Sequence, residues 1–373
     1  MIRKKTITLK TASLKGWSKA CMIALLATLI ITSCSKDDNQ VTLPPSGPYA
    51  NGFFILNEGW YGHEAGSVNF YGYGADTLQQ FAFATANAGS APTLGSATLE
   101  DGAIIGDRLF LVSKVGGPIT VADAATLKQV GQITLEGADF RSIAALNEHI
   151  AVVSSGSKIY TIDLDALTIS QEPVFSGNNI KKLLVKGDYL LASDNQGVDI
   201  IKISDWKLAA HFDGPTEGYV STPDGKVYGA GSDLLISINA ATQDTTQIKL
   251  SQPIWVNNYT YNPPSLVSSS KENAVFYIAT PTSGYGSTTI FKYISGDPNS
   301  LKTPFITLPA GETFYNTGLA YDKRNDQIIT WSITGYGESD SNFLRFYKAS
   351  DGALVKTIKY GHIFFPANII FFP

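Results

Sequence analysis

Cysteine is nearly absent: Cys21 and Cys34 are the only two in 373 residues. Cys21 lies inside an N-terminal apolar run and Cys34 just after it, so the chain beyond has no thiol for a disulfide, a zinc site or a nucleophile. Histidine is scarce as well, at positions 63, 149, 211 and 362. No two of these are spaced as metal ligands, and no metal site is expected. There is no nucleophile elbow, and the "GYG" triplets lack the strand, helix and lysine that a phosphate cradle needs. A sustained period of 3.6 residues is also missing, which excludes a helical fold.

What is present begins at the N-terminus. Arg3, Lys4, Lys5, Lys10, Lys15 and Lys19 precede the run "ACMIALLATLIIT" with no acid among them, the layout of a secretory signal. The run is too short for an ordinary membrane span. Thr32 and Ser33 ahead of Cys34 resemble a bacterial lipobox. That implies a signal peptide over 1–33 and a lipidated Cys34, whose acyl chains hold the protein on a membrane at about 0.8 kcal/mol per buried methylene. Residues 34–50, with the Pro-rich "VTLPPSGP", read as a flexible tether. "CSKDDN" resembles the acidic signal by which Bacteroidota send lipoproteins to the outside of the outer membrane, and it implies an anchor there with the protein facing the exterior.

Loss of residues 1–33 removes six basic groups and no acid, leaving 22 Lys and Arg against 32 Asp and Glu and a net charge of −10. Such a surface repels nucleic acid, which is not expected as a partner.

The remaining chain, rich in Gly, Tyr, Phe and Thr, reads as all-β. One theme recurs in it: a polar turn, an apolar strand, a turn, a strand, a short "D-A-x-T-L"-like turn and a last strand. It appears in "GDRLFLVSKVGGPITVADAATLKQVGQITL" from Gly106, again from Asn147, Gly187 and Asp224, and in longer form from Glu272 and Asn325. The spacing is that of four-stranded propeller blades, about 40–50 residues. The copy from Gly52 lacks an innermost strand, while the chain ends in an orphan apolar run, "PANIIFFP". If the last strand completes the first blade, the exposed sheet edges vanish. The expectation is a seven-bladed β-propeller over 51–373, with Trp206 and Trp331 as packing residues.

Function is expected where one copy departs from the rest. With strands lettered A to D from the pore outwards, the B–C loops and the D–A connections share one face. The B–C loops are long and aromatic in blades one, six and seven: "NEGWYGHEAG", "TPTSGYGS" and "ITGYGESDS". The connections "PIWVNNYTYNPP", "AGETFYN" and "YGHIFF" lie on the same side. Together they predict a ligand site from Trp60, Tyr61, His63, Trp255, Asn258, Tyr259, Tyr261, Tyr285, Phe314, Tyr315, Tyr336, Tyr360 and His362.

Two further readings concern chemistry. His63 and His362 are placed to meet across the closed first blade. Glu100, Asp139, Glu217 and Glu312 recur before successive inner strands and suggest an acidic ring at the pore mouth, where some propeller hydrolases and lyases keep carboxylates. No pair of them is fixed in separation by sequence, so no catalytic residue is assigned and the chain is not expected to be an enzyme.

The opening "GFFILNEGWYGHEAGSVNFY", with "ILNEG" as its most specific motif, the "VADAATL" turn and the lipidated start resemble a Bacteroidota family of surface propeller lipoproteins, the BtuG-type and broader YncE-like propellers. The resemblance spans nearly the whole chain after the signal. It implies capture of cobalamin or another corrinoid as a bound ligand, with no separate cofactor, and its delivery to a TonB-dependent transporter of the outer membrane. A glycan remains the alternative ligand for an aromatic platform with Asn and Glu, and a hydrolase or lyase the less favoured alternative.

Overall fold

Strands here are short because apolar alternation runs only five to seven residues before a Gly, Asp or Asn turn interrupts it. The computed structural model describes residues 46–89, 94, 98–214, 218–231, 233–239, 241–255, 265–281, 286–335, 342–362 and 364–373. The signal segment and Cys34 lie outside these residues. Seven antiparallel sheets are formed, the seven-bladed all-β propeller expected.

Blade one is closed by both ends of the chain. Its inner strand is Pro366–Phe371, paired antiparallel with Gly52–Asn57, which pairs in turn with Ser67–Gly72. The register sets Phe54 opposite Ile370 and Ile55 opposite Ile369. Among the described residues this sheet has three strands, and a single bridge from Phe70 to Gln79 and a short helix, Ala82–Ala86, follow the outermost one. The fold also starts before residue 51, because Tyr49 is buried against Phe70 and donates its backbone N–H to the Ala125 carbonyl.

The inner strands of blades two to seven are Leu99–Ile105, Phe140–Ala145, Leu183–Lys186, Tyr219–Ser221, Leu266–Ser268 and Thr313–Asp322. Each leads outward through its own hairpins. Blade three ends in two short pieces, Thr168–Ile169 and Phe175–Ser176, both paired with Lys158–Asp163. Apolar faces of neighbouring blades pack on each other: between blades seven and one, buried Trp331, Phe346 and Tyr360 meet Phe53 and Tyr71.

The recurring turn has a local cause. Asp123 Oδ1 accepts the Thr126 N–H at 2.7 Å, and Leu127, at φ 55°, returns its N–H to the Asp123 carbonyl at 2.8 Å. Leu167, Trp206 and Gln243 take the same left-handed conformation in the next three blades. In blades two, three and five an acid or amide, Asp123, Asp163 or Asn239, heads the turn and offsets a backbone strain that these side chains would otherwise resist, whereas Lys202 heads it in blade four.

Candidate functional site

The inner strands begin on the face that carries the B–C loops, and in blades two, three and seven they begin with a β-bulge. The irregularities fall between Leu99 and Asp101, between Phe140 and Ile143, and between Phe314 and Leu319. A bulge turns a side chain out of the alternating pattern. Here it turns out Glu100, Arg141, Tyr315 and Asn316, and these groups build a polar belt at the channel mouth.

Glu58, the first residue of the blade-one loop, is the centre of that belt. It is 8% exposed. The Asn316 amide donates to its Oε1, the Tyr315 hydroxyl donates to its Oε2 at 3.2 Å, and its own N–H donates to the Phe365 carbonyl at 2.9 Å. Asn316 and Phe365 both hold left-handed backbone, at φ 50° and 49°, strain of the kind that clusters at functional sites. Burial and the neighbouring Glu100 carboxylate push the Glu58 carboxyl up to about 8, although Lys114 and the bonds from Tyr315 and Asn316 pull the other way. At neutral pH Glu58 therefore holds its proton for most of the time.

Three of the four acids of the expected ring are paired. Glu100 is bonded to Lys114, Asp139 to Arg141 at 3.0 Å, and Glu312 to Arg345, whose Nη2 reaches Oε1 at 2.6 Å while Ser332 donates to Oε2 at 2.7 Å. Glu217 lies outside the described residues. A deeper carboxylate, Asp101, joins four blades: Asn368 and Lys182 bond its Oδ1 at 3.4 and 3.5 Å, and the Ile143 N–H bonds Oδ2 at 3.4 Å.

Above the belt, the loop at 58–66 presents Trp60 and Tyr61, 48% and 62% exposed. Trp60 packs at a tilt against His63, with ring centroids 4.3 Å apart. His362 packs on Phe81 and Phe364, with Nε2 4.0 Å from Glu64. The two histidines thus sit on neighbouring loops, each ring held by aromatics rather than by the other. Tyr315 packs on Phe365 at 5.4 Å. The B–C loop of blade six borders a cavity of about 430 Å³ lined by Thr280, Pro281, Gly286, Thr288 and Thr289.

Several expected site residues are placed otherwise. Tyr360 and Phe314 are buried, 7% and 0% exposed, in the cores flanking blade seven. Alternation along their strands turns them inward, so they are packing residues. Trp255 is half-buried against the core between blades six and seven. Asn258, Tyr259, Tyr261, Tyr285 and Tyr336 lie outside the described residues. Glu58, Asn316 and Asp101 were not singled out from the sequence, and the bulges that direct Asn316 and Glu100 leave no local signature. The hint for Glu58 was an acid inside an aromatic loop.

A second cavity, of about 570 Å³, opens at the opposite end of the inner strands, where Thr222, Ser269, Ser270, Tyr321, Lys323 and Asn368 line blades five, six, seven and one. Blade four holds a separate cluster, Asp194, Asp199 and His211, whose donor atoms all lie within 4.8 Å of one another.

The fold is a seven-bladed β-propeller whose B–C loop face is polar and aromatic. The family described as "Domain of unknown function (DUF5074)" matches residues 51–372, and the chain belongs to it. No curated protein sequence matches the chain. Among solved structures it is similar to a quinonprotein alcohol dehydrogenase-like protein from Bacteroides thetaiotaomicron, with TM-score 0.72 and 21% identity over 87% of this chain and 78% of that one. The propeller domain of Cps50 (Swd1) from Myceliophteria thermophila is similar at TM-score 0.53 and 12% identity, over 73% of this chain and 88% of that one. At these identities the likeness is one of fold.

Proposed function

We propose that the protein is a lipid-anchored outer-membrane lipoprotein facing the cell exterior, which binds a corrinoid such as cobalamin and passes it to a TonB-dependent transporter. The observation that carries this reading is the exposed pair Trp60 and Tyr61 on a loop held from beneath by Glu58, Tyr315 and Asn316. Exposed rings offer apolar contact area, and a fixed loop base lowers the entropy lost when a ligand docks. The resemblance to the BtuG-type propellers supports the corrinoid. Among the described residues no helix is long and apolar enough to cross a membrane, and attachment in this reading rests on Cys34.

Binding without turnover is favoured by the state of the acids. Glu100, Asp139 and Glu312 are each neutralised by a basic side chain, whereas acid–base catalysis at a sugar needs two carboxyls facing the substrate.

Calorimetric titration with cyanocobalamin tests the reading. One-to-one binding that weakens in Trp60→Ala and Tyr61→Ala supports it. No binding at high micromolar ligand removes the corrinoid, and the same titration with oligosaccharides then examines the glycan alternative.

A further inference from the structure

Blade four departs from the electrostatic pattern of its neighbours. Glu100, Asp101 and Glu312 are buried carboxylates, and each meets a lysine or arginine. Asp194 and Asp199 are buried too, 3% and 6% exposed, yet the cationic partner within reach is a histidine. His211 Nδ1 lies 2.7 Å from Asp199 Oδ1, and its Nε2 lies 3.4 Å from Asp213 Oδ1.

The three groups come from three elements. Asp194 sits in the tight B–C turn, where its Oδ1 accepts the N–H groups of Gln196 and Gly197 at 2.7 and 2.8 Å. Asp199 lies on the strand Gly197–Lys202 and His211 opposite it on Lys207–Asp213. These bonds use one oxygen of each carboxylate. Asp199 Oδ2 has no hydrogen-bond partner among the described residues, although its side chain is 9% exposed. Oδ2 faces Gly177 in the connection from blade three, where a Cβ would approach it to 3.3 Å. A bare glycine thus stands beside the one Asp199 oxygen that no hydrogen bond among the described residues uses.

Two buried carboxylates within 4.8 Å of one imidazole form an incomplete charge balance that a dication completes. An imidazole nitrogen with carboxylate oxygens suits zinc and its first-row neighbours better than calcium or magnesium, which favour oxygen alone. We infer that Asp194, Asp199 and His211 form a binding site for a divalent transition-metal ion, with zinc the best-suited probe. This site lies across the ring from the aromatic loops and stands whether or not a corrinoid binds there.

The test uses the full chain, stripped with chelator and titrated with Zn²⁺, with metal content measured after dialysis and with Co²⁺ as a visible-absorption probe. His211→Ala removes a ligand on the outermost strand, where folding tolerates it. Asp194→Asn keeps an oxygen for the turn while removing the charge. His149→Ala is the control, since His149 sits with Glu148 and Asp165 in an exposed group of similar composition. The expected result is one ion per chain, with affinity falling at least about tenfold in His211→Ala and Asp194→Asn and unchanged in His149→Ala. The inference is overturned by substoichiometric binding in the unaltered chain. It is equally overturned by affinity that survives both site variants, or by a loss shared by His149→Ala.

Discussion

The Tyr315 hydroxyl donates to Glu58 Oε2 at 3.2 Å across 257 residues of sequence. A bulge in the inner strand of blade seven thereby holds the base of the blade-one loop, and the loop's order depends on closure of the ring.

The Glu58 carboxyl makes stability depend on pH. In the unfolded chain it titrates near 4.5 and in the fold at about 8. Below pH 4.5 both states hold the proton, and the folded state bears no cost. As pH rises towards 8 the unfolded state alone releases it, so stability falls by up to about 1.4 kcal/mol per pH unit. Urea midpoints between pH 5 and 8 should therefore decline in the unaltered chain relative to Glu58→Gln. Parallel curves would show that the carboxyl ionises normally.

Tyr360 should prove dispensable for binding. Its hydroxyl is buried with no hydrogen-bond partner among the described residues, so Tyr360→Phe is expected to leave stability unchanged or raise it by up to about 1 kcal/mol. Ligand affinity should match that of the unaltered chain. A calorimetric titration and a denaturation curve of the variant check both.

Arg345 and Glu312 are buried together, and Arg345 also donates to Ser332 at 3.1 Å. Arg345→Ala leaves an unpaired carboxylate in the core and should cost about 3–5 kcal/mol. The loss is read from the urea midpoint. A change below about 1 kcal/mol would mean that water reaches Glu312.

Closure should be indispensable. Ending the chain after Phe365 removes the inner strand of blade one and exposes the ladder edge of Gly52–Asn57. The truncated chain is expected to lose its cooperative thermal transition and to be cleaved quickly by protease. Retention of the transition would show that six blades and an open sheet suffice.

The sequence by itself determined the blades and their number. Alternation of apolar residues, Asp- and Asn-headed turns and the orphan run "PANIIFFP" are local signals, and strand pairing between neighbours needs little more. Even the seam was legible, because an incomplete first copy and a surplus last strand imply each other. Loop length carried the exposed face as well, since Trp60, Tyr61 and His63 extend from a loop that the middle blades lack.

The tertiary structure alone decided which polar groups meet. Tyr360 and Phe314 lie beside residues of the aromatic loop face, and only their strand register turns them into the core. Glu100, Asp139 and Glu312 look alike as loop acids, yet each finds a basic partner through hairpin pairing or a bulge. Glu58 meets Asn316, and Asp199 meets His211, through register between separate strands, and histidine spacing gave no sign of the second pair. Periodicity records which residues face a core, whereas the charge state of a buried carboxyl is set by neighbours that only the closed ring brings near.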